Sequence, residues 1–257
     1  MANLAVITGV SRGLGASLAK LLLESGIDVI GISRRDNKQL TTLAAENNQF
    51  YKHFSCDLSN IPELEKTITT IHDEIKALHE EQEIEVIYLL NNAGVVNPIH
   101  QAHHIKSEEL INHVTINTIA PMVLTGQFLK QQEKHGIPVI VANVSSGAAE
   151  RAIYGWSAYC STKASLNMYS KTVALEQEQL GTENKIIAFS PGIMDTQMQN
   201  EIRSSSKEQF AEVETFKDYK TNDSLRNTDI VAGVLIDIIT DEDVKNGKIY
   251  YVNNYIG

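Results

Sequence analysis

The segment Tyr-Cys-Ser-Thr-Lys at residues 159–163 sets a phenol and an ammonium four positions apart. On a helix that spacing is about one turn, so Tyr159 and Lys163 would be neighbours on one face. A phenol can give up a proton, and a nearby ammonium can stabilise the phenolate left behind. The same pair can equally be two ordinary surface side chains. With nine Tyr and 22 Lys plus Arg in 257 residues, such pairs also arise by chance. The rest of the chain has to decide between chemistry and coincidence.

A second stretch, Thr-Gly-Val-Ser-Arg-Gly-Leu-Gly at 8–15, places Gly9, Gly13 and Gly15 around Ser11, Arg12 and Leu14. It follows a short apolar run at 4–8 and precedes a helical pattern in which Leu14, Leu18, Leu21 and Leu22 recur at helical spacing. A glycine turn between strand and helix lets the backbone approach a pyrophosphate, and the helix N-terminus offers free N–H groups. The spacing is not the usual G-x-G-x-x-G, and a purely structural turn is the other reading. At the end of the second strand the chain reads Ser33, Arg34 and Arg35. An acid there would take the ribose 2′-OH, whereas arginine pairs with a 2′-phosphate. With Arg12 facing the same phosphate, two guanidiniums would grip one dianion, which favours NADPH over NADH. Asp36 leaves open that these arginines are solvated strand-end charges.

Positioning such residues requires an alternating chain. Strand-like segments at 4–8, 28–35, 85–94, 138–146, 185–192 and 247–252 are separated by helical stretches near 14–25, 36–48, 62–79, 107–133 and 157–180. That order predicts a single α/β domain over 1–257, a Rossmann-type doubly wound parallel sheet with helices on both faces. Only 197–227, polar and irregular in pattern, breaks the rhythm; it reads either as a surface excursion or as a cover over the substrate. A length of 257 residues and 42% hydrophobic content suit one packed domain. The net charge of -10 disfavours nucleic-acid partners. No apolar run reaches the roughly 18 residues of a membrane span, so none is expected. Cys56 and Cys160 show no metal-ligand spacing, and no metal site is expected; free thiols and a cytoplasmic setting are.

Four stretches together resemble the short-chain dehydrogenase/reductase family: the glycine turn, Asn-Asn-Ala-Gly at 91–94, Ser145-Ser146, and Tyr159 to Lys163. The resemblance covers essentially the whole chain. It implies a catalytic set of Asn117, Ser146, Tyr159 and Lys163, with Ser146 preferred over Ser145 because it lies 13 positions before the tyrosine. It further implies cofactor contacts from Asp57, Leu58, Asn92, Ala93, Gly94, Pro191, Gly192, Ile193 and Thr196. In such a set Tyr159 protonates the oxygen of a carbonyl being reduced, Ser146 polarises it, and Asn117 anchors a water relaying protons to Lys163. An isolated Tyr titrates near 10; lowering it by about three units takes roughly 4 kcal/mol, which a cation about 4 Å away supplies at an effective dielectric near 20.

Gly-Trp-Ser-Ala-Tyr-Cys-Ser-Thr-Lys at 155–163 is similar to the sepiapterin reductase and benzil reductase branch. The tail at 247–257 has no acid of the kind that holds a pterin there, so the resemblance points to an aromatic α-dicarbonyl, with a pterin or other ketone as the alternative. Ile153, Tyr154, Trp156, Ile193, Met194 and Met198 are the expected pocket. Pairing through the helices near 107–133 and 157–180 implies a homodimer, or a tetramer. A protein that senses NADPH without turnover is the reading from another class, and it leaves the Tyr, Lys and Ser set unexplained.

Overall fold

The computed structural model describes residues 2–256. Seven parallel strands form one sheet: β1 (Ala2–Thr8), β2 (Asp28–Ser33), β3 (Tyr51–Ser55), β4 (Ile84–Asn91), β5 (Val139–Val144), β6 (Lys185–Ser190) and β7 (Ile249–Tyr251), in the order β3-β2-β1-β4-β5-β6-β7. The main helices are α1 (Gly13–Glu24), α2 (Lys38–Glu46), α3 (Ile61–Glu81), α4 (Ser107–Val114), α5 (Ala120–His135), α6 (Ser157–Gln179), α7 (Gln197–Arg203), α8 (Val213–Thr221) and α9 (Thr228–Thr240). This is the doubly wound Rossmann-type architecture that the alternation predicted.

Side-chain alternation along β1 explains why both faces are covered. Ala5 and Ile7 enter a core packed with Leu18, Leu22 and Leu235 of α1 and α9. Leu4 and Val6 enter the opposite core, with Leu64 and Ile68 of α3 and Phe128 of α5. A strand buried on both sides reads as a continuous apolar run, as 4–8 does. The chain leaves β1 for β2 and β3 on one side and then crosses to β4 on the other. A crevice therefore opens at the carboxyl ends of β1 and β4, where the strand order reverses. Beneath it, Asn91 donates to Asn143 Oδ1 (2.8 Å) and Thr125 Oγ1 (3.2 Å), and Asn143 donates to Ser170 Oγ (2.9 Å). This buried network ties β4 and β5 to α5 and α6.

Two expectations are corrected. The helix expected near 107–133 is present, but its ladder shifts part-way: α4 and α5 are joined by a π-type turn, Thr115–Ile119, in which the Ala120 N–H reaches back to Thr115 O. Pro121 has no N–H to offer the Asn117 carbonyl, so the ordinary i to i−4 ladder fails there. The stretch 197–227 is not an irregular excursion, because it carries α7 and α8. Its apolar residues are few and divided between two short helices, yet Ile202, Phe210, Val213 and Phe216 are buried in a third core with Trp156, Ile153 and Tyr159.

Candidate active site

The carboxyl ends of the central strands open onto a cleft of about 400 Å³. One end is built by the turn after β1 (Gly9, Ser11, Arg12, Gly13, Leu14), the end of β2 (Ser33, Arg34, Arg35) and the residues after β3 (Asp57, Leu58). Its floor is Asn92, Ala93 and Gly94 after β4, and its far wall is Pro191, Gly192, Ile193 and Thr196 after β6. Tyr159, Lys163, Trp156, Met194 and Met198 line the remaining part. Residues from six separate segments, expected to meet on motif grounds, do meet here.

Three expected assignments, one to the cofactor and two to the pocket, move elsewhere. Gly15 is not on the cleft wall; a Cβ there would run into the Gly9 carbonyl, so it serves the close packing of α1 against the turn. Ile153 is buried in the third core, behind the cleft. Tyr154 is 56% exposed and accepts a hydrogen bond from Gln101 (2.7 Å) on a different surface, beside His100, His103 and His104. Adjacent residues in a turn point in different directions, so proximity to Trp156 in sequence did not place Tyr154 in the pocket.

Tyr159 and Lys163 project from the first two turns of α6, and both are at least 93% buried. Lys163 Nζ lies 5.8 Å from the Tyr159 ring centre and donates to Val144 O at 2.8 Å. Tyr159 OH lies 3.9 Å from Met198 Sδ. Burial pushes the Tyr159 phenol up to about 12, while the Ser146 hydroxyl beside it pulls the other way. Burial pushes Lys163 down to about 8. Among the protein's own groups, desolvation therefore outweighs the lowering of Tyr159 expected from a neighbouring cation. Burial thus favours the protonated phenol.

Ser146, two residues past the end of β5, caps a short 3₁₀ turn, with its Oγ accepting from Ala148 N at 3.1 Å. It acts on Tyr159 from beside the cleft, whereas Ser145 lines the wall itself, with no hydrogen-bond partner for its buried Oγ among the described residues. Asn117 sits in the π-type turn, 1% exposed. Its Oδ1 accepts from Val95 N (2.8 Å) and its Nδ2 donates to Val95 O (2.7 Å). A Cβ built on Gly94 would lie 3.3 Å from Asn117 Oδ1 and 3.5 Å from Lys163 Nζ, so the two groups flank Gly94. Of the expected catalytic set, Tyr159 and Lys163 line the cleft, whereas Ser146 and Asn117 lie just behind that wall, beside Tyr159 and Gly94 respectively.

The sequence reading missed Phe216 of α8 and Gln199, Glu201 and Ile202 of α7, which also line the cleft. Met198, Glu201 and Ile202 share one helix face, a signal available only once α7 is recognised as a helix. Glu201 Oε2 accepts from Asn97 Nδ2 at 2.9 Å, linking α7 to the loop after β4. It missed His113 as well, one turn before Asn117 and fully buried.

The sequence pattern of the short chain dehydrogenase family matches residues 3–207. The chain belongs to the short-chain dehydrogenases. This short-chain dehydrogenase is 38% identical over 248 residues to a benzil reductase ((S)-benzoin forming) of Bacillus cereus, across 96% of this chain and 98% of the relative. It is 26% identical over 255 residues to the sepiapterin reductase of Bos taurus, across 95% and 92%. A crystal structure of a short chain dehydrogenase/reductase from Saccharomyces cerevisiae superposes with a TM-score of 0.80 at 27% identity, covering 98% of this chain and 96% of that one. This short-chain dehydrogenase is thus an oxidoreductase, similar to both branches that the segment 155–163 resembles. No helix among its described residues is long and apolar enough to cross a membrane.

Proposed function

We propose that this short-chain dehydrogenase uses NADPH to reduce one carbonyl of an aromatic α-dicarbonyl, benzil to benzoin being the model reaction. The observation that carries the substrate class is the wall beside Tyr159. Trp156 stacks on Phe210 (4.7 Å between ring centres, 17° between planes) and meets Phe216 edge-on at 5.5 Å, while Met194, Met198 and Ile202 complete an apolar surface on the cleft. Aryl rings bury well against such a wall. The 38% identity to a benzil reductase supports the same class.

The cleft fits a dinucleotide. Gly9, at φ 81°, brings its backbone so close to Asn92 that a Cβ would sit 2.9 Å from Asn92 Nδ2, and Gly13 opens the same turn. Arg12, Arg34 and Arg35 are exposed at one end of the cleft, as a 2′-phosphate would require. When bound, NADPH would supply the hydride. The protein's residues would do the rest. Ser146 would hold the carbonyl oxygen, and Tyr159 would give it a proton as the carbonyl becomes a hydroxyl. Lys163 would stabilise the resulting phenolate, and Asn117 would anchor the water that returns a proton through Lys163. Exposed Ile111, Met168 and Leu175 on α4 and α6 suit pairing of two chains through these helices, and we assign a cytoplasmic homodimer.

The test follows the absorbance of NADPH with benzil or sepiapterin as substrate, in the wild type and in Tyr159→Phe. Benzil-dependent oxidation that falls by about a hundredfold or more in the variant is expected. Robust turnover of sepiapterin with none of benzil would replace the substrate class. NADPH binding without turnover of either would return the protein to a sensing role.

A further inference from the structure

We propose that His113 is a positioning residue for the reaction, holding the Asn117 side-chain amide in one orientation through the lone pair on its Nε2. The imidazole lies in α4 with no exposed surface. Its Nδ1 is 2.7 Å from Asn97 O, and its Nε2 is 3.0 Å from Asn117 Nδ2 and 3.1 Å from Thr162 Oγ1.

Donor and acceptor accounting fixes the protons. The Val95 N–H can only donate, so the Asn117 atom facing it is the oxygen Oδ1, and the atom facing Val95 O is the nitrogen Nδ2. The second hydrogen of Nδ2 then points at His113 Nε2, which must accept it. The single imidazole proton is left on Nδ1, where it is needed, because Asn97 O can only accept. Thr162 does not contradict this, since its hydroxyl already has the Ala158 and Tyr159 carbonyls within 3.0 and 3.1 Å. Burial and the Lys163 charge both lower the His113 pKa, which favours the neutral ring.

The consequence reaches the reacting groups. With the amide held, Asn117 presents oxygen toward Gly94, on whose flank Lys163 Nζ also lies. An inverted amide would turn N–H donors toward an ammonium that itself only donates. The loop at 95–97 and Asn117 are thus joined through one imidazole, whose ring also packs edge-on to Tyr159 at 6.2 Å between centres.

The kinetic arm of the test rests on the carbonyl-reductase reading; the spectroscopic arm does not. In His113→Gln the side-chain oxygen can take the place of Nε2 and accept from Asn117, whereas in His113→Asn the amide N–H can take the place of Nδ1 and serve only Asn97. We expect His113→Gln to keep kcat for benzil within about threefold of wild type and His113→Asn to lose about tenfold or more, with KM for NADPH nearly constant in both. Equal kcat losses, tracking equal losses of thermal stability, would reduce His113 to a packing residue. Nitrogen-15 NMR of the histidine rings in the wild-type protein needs neither variant nor turnover. A neutral ring protonated at Nδ1 is expected, and an Nε2–H tautomer or an imidazolium at neutral pH would overturn the proposal. Absence of benzil turnover in the wild type, with the expected tautomer present, would instead count against the substrate reading.

Discussion

Burial moves Tyr159 and Lys163 in opposite directions, up to about 12 and down to about 8, and both shifts favour the uncharged forms. The two have different consequences for stability. Between about 8 and its ordinary 10.5, Lys163 holds a proton in the unfolded chain that it has lost in the folded one. Stability therefore rises with pH across that window, by up to about 3 kcal/mol if the whole shift is realised. Measured against Lys163→Met by thermal unfolding, wild-type stability should improve steadily from pH 8 to 10. A difference that stays flat would mean that the ammonium is not desolvated. The arginines present a simpler case, because they are exposed and the role proposed for them is electrostatic. Replacing Arg12 and Arg34 together with Ala should raise KM for NADPH about tenfold or more and leave that for NADH within about twofold. Equal effects on both would remove the 2′-phosphate assignment.

At the scale of elements, the insert that looked irregular lines the part of the cleft beside Tyr159 and Trp156. Phe210 has no exposed surface, stacks on Trp156 and meets Phe216 edge-on at 5.3 Å between ring centres. The turn before α6 is pressed against it so closely that a Cβ on Gly155 would strike the Gln209 carbonyl. Phe210→Ala should lower stability by about 3–5 kcal/mol, the usual cost of emptying a buried aromatic site. Because Phe210 backs Trp156 and Phe216 rather than the glycine turn, the same variant should raise KM for benzil while leaving NADPH affinity nearly unchanged. Comparable loss of both would show that the insert and the Rossmann sheet do not respond separately. The π-type turn at 115–119 is the other element with a functional consequence, since it carries Asn117 to the loop after β4.

For the whole molecule, the exposed apolar residues are not spread evenly. Ile111, Met168 and Leu175 are 65%, 63% and 53% exposed, and Met168 and Leu175 lie seven residues apart on one face of α6. A face of this kind suits a second copy of the chain. Met168→Lys combined with Leu175→Glu should convert a dimer into a monomer in analytical ultracentrifugation. A wild type that is already monomeric, or a doubly substituted protein that still dimerises, would move the interface away from α6.

Features built from neighbours in sequence were legible without coordinates. The glycine turn, Asn-Asn-Ala-Gly, and Tyr159 with Lys163 each depend on spacing within a few residues, and alternating apolar runs of strand and helix length dictate a doubly wound sheet. What remained hidden depends on partners far apart in the chain. Pro121 hinted at a break in the helix, but only the turn's contact with Val95 shows what the break is for. Whether Trp156 or Tyr154 faces the cleft is decided by α7 and α8, which bury the first and leave the second to solvent. His113 and Glu201 gain meaning from Asn97, 16 and 104 positions away. Periodicity records which face of an element is apolar, whereas the partner that each polar group finds is set by tertiary packing.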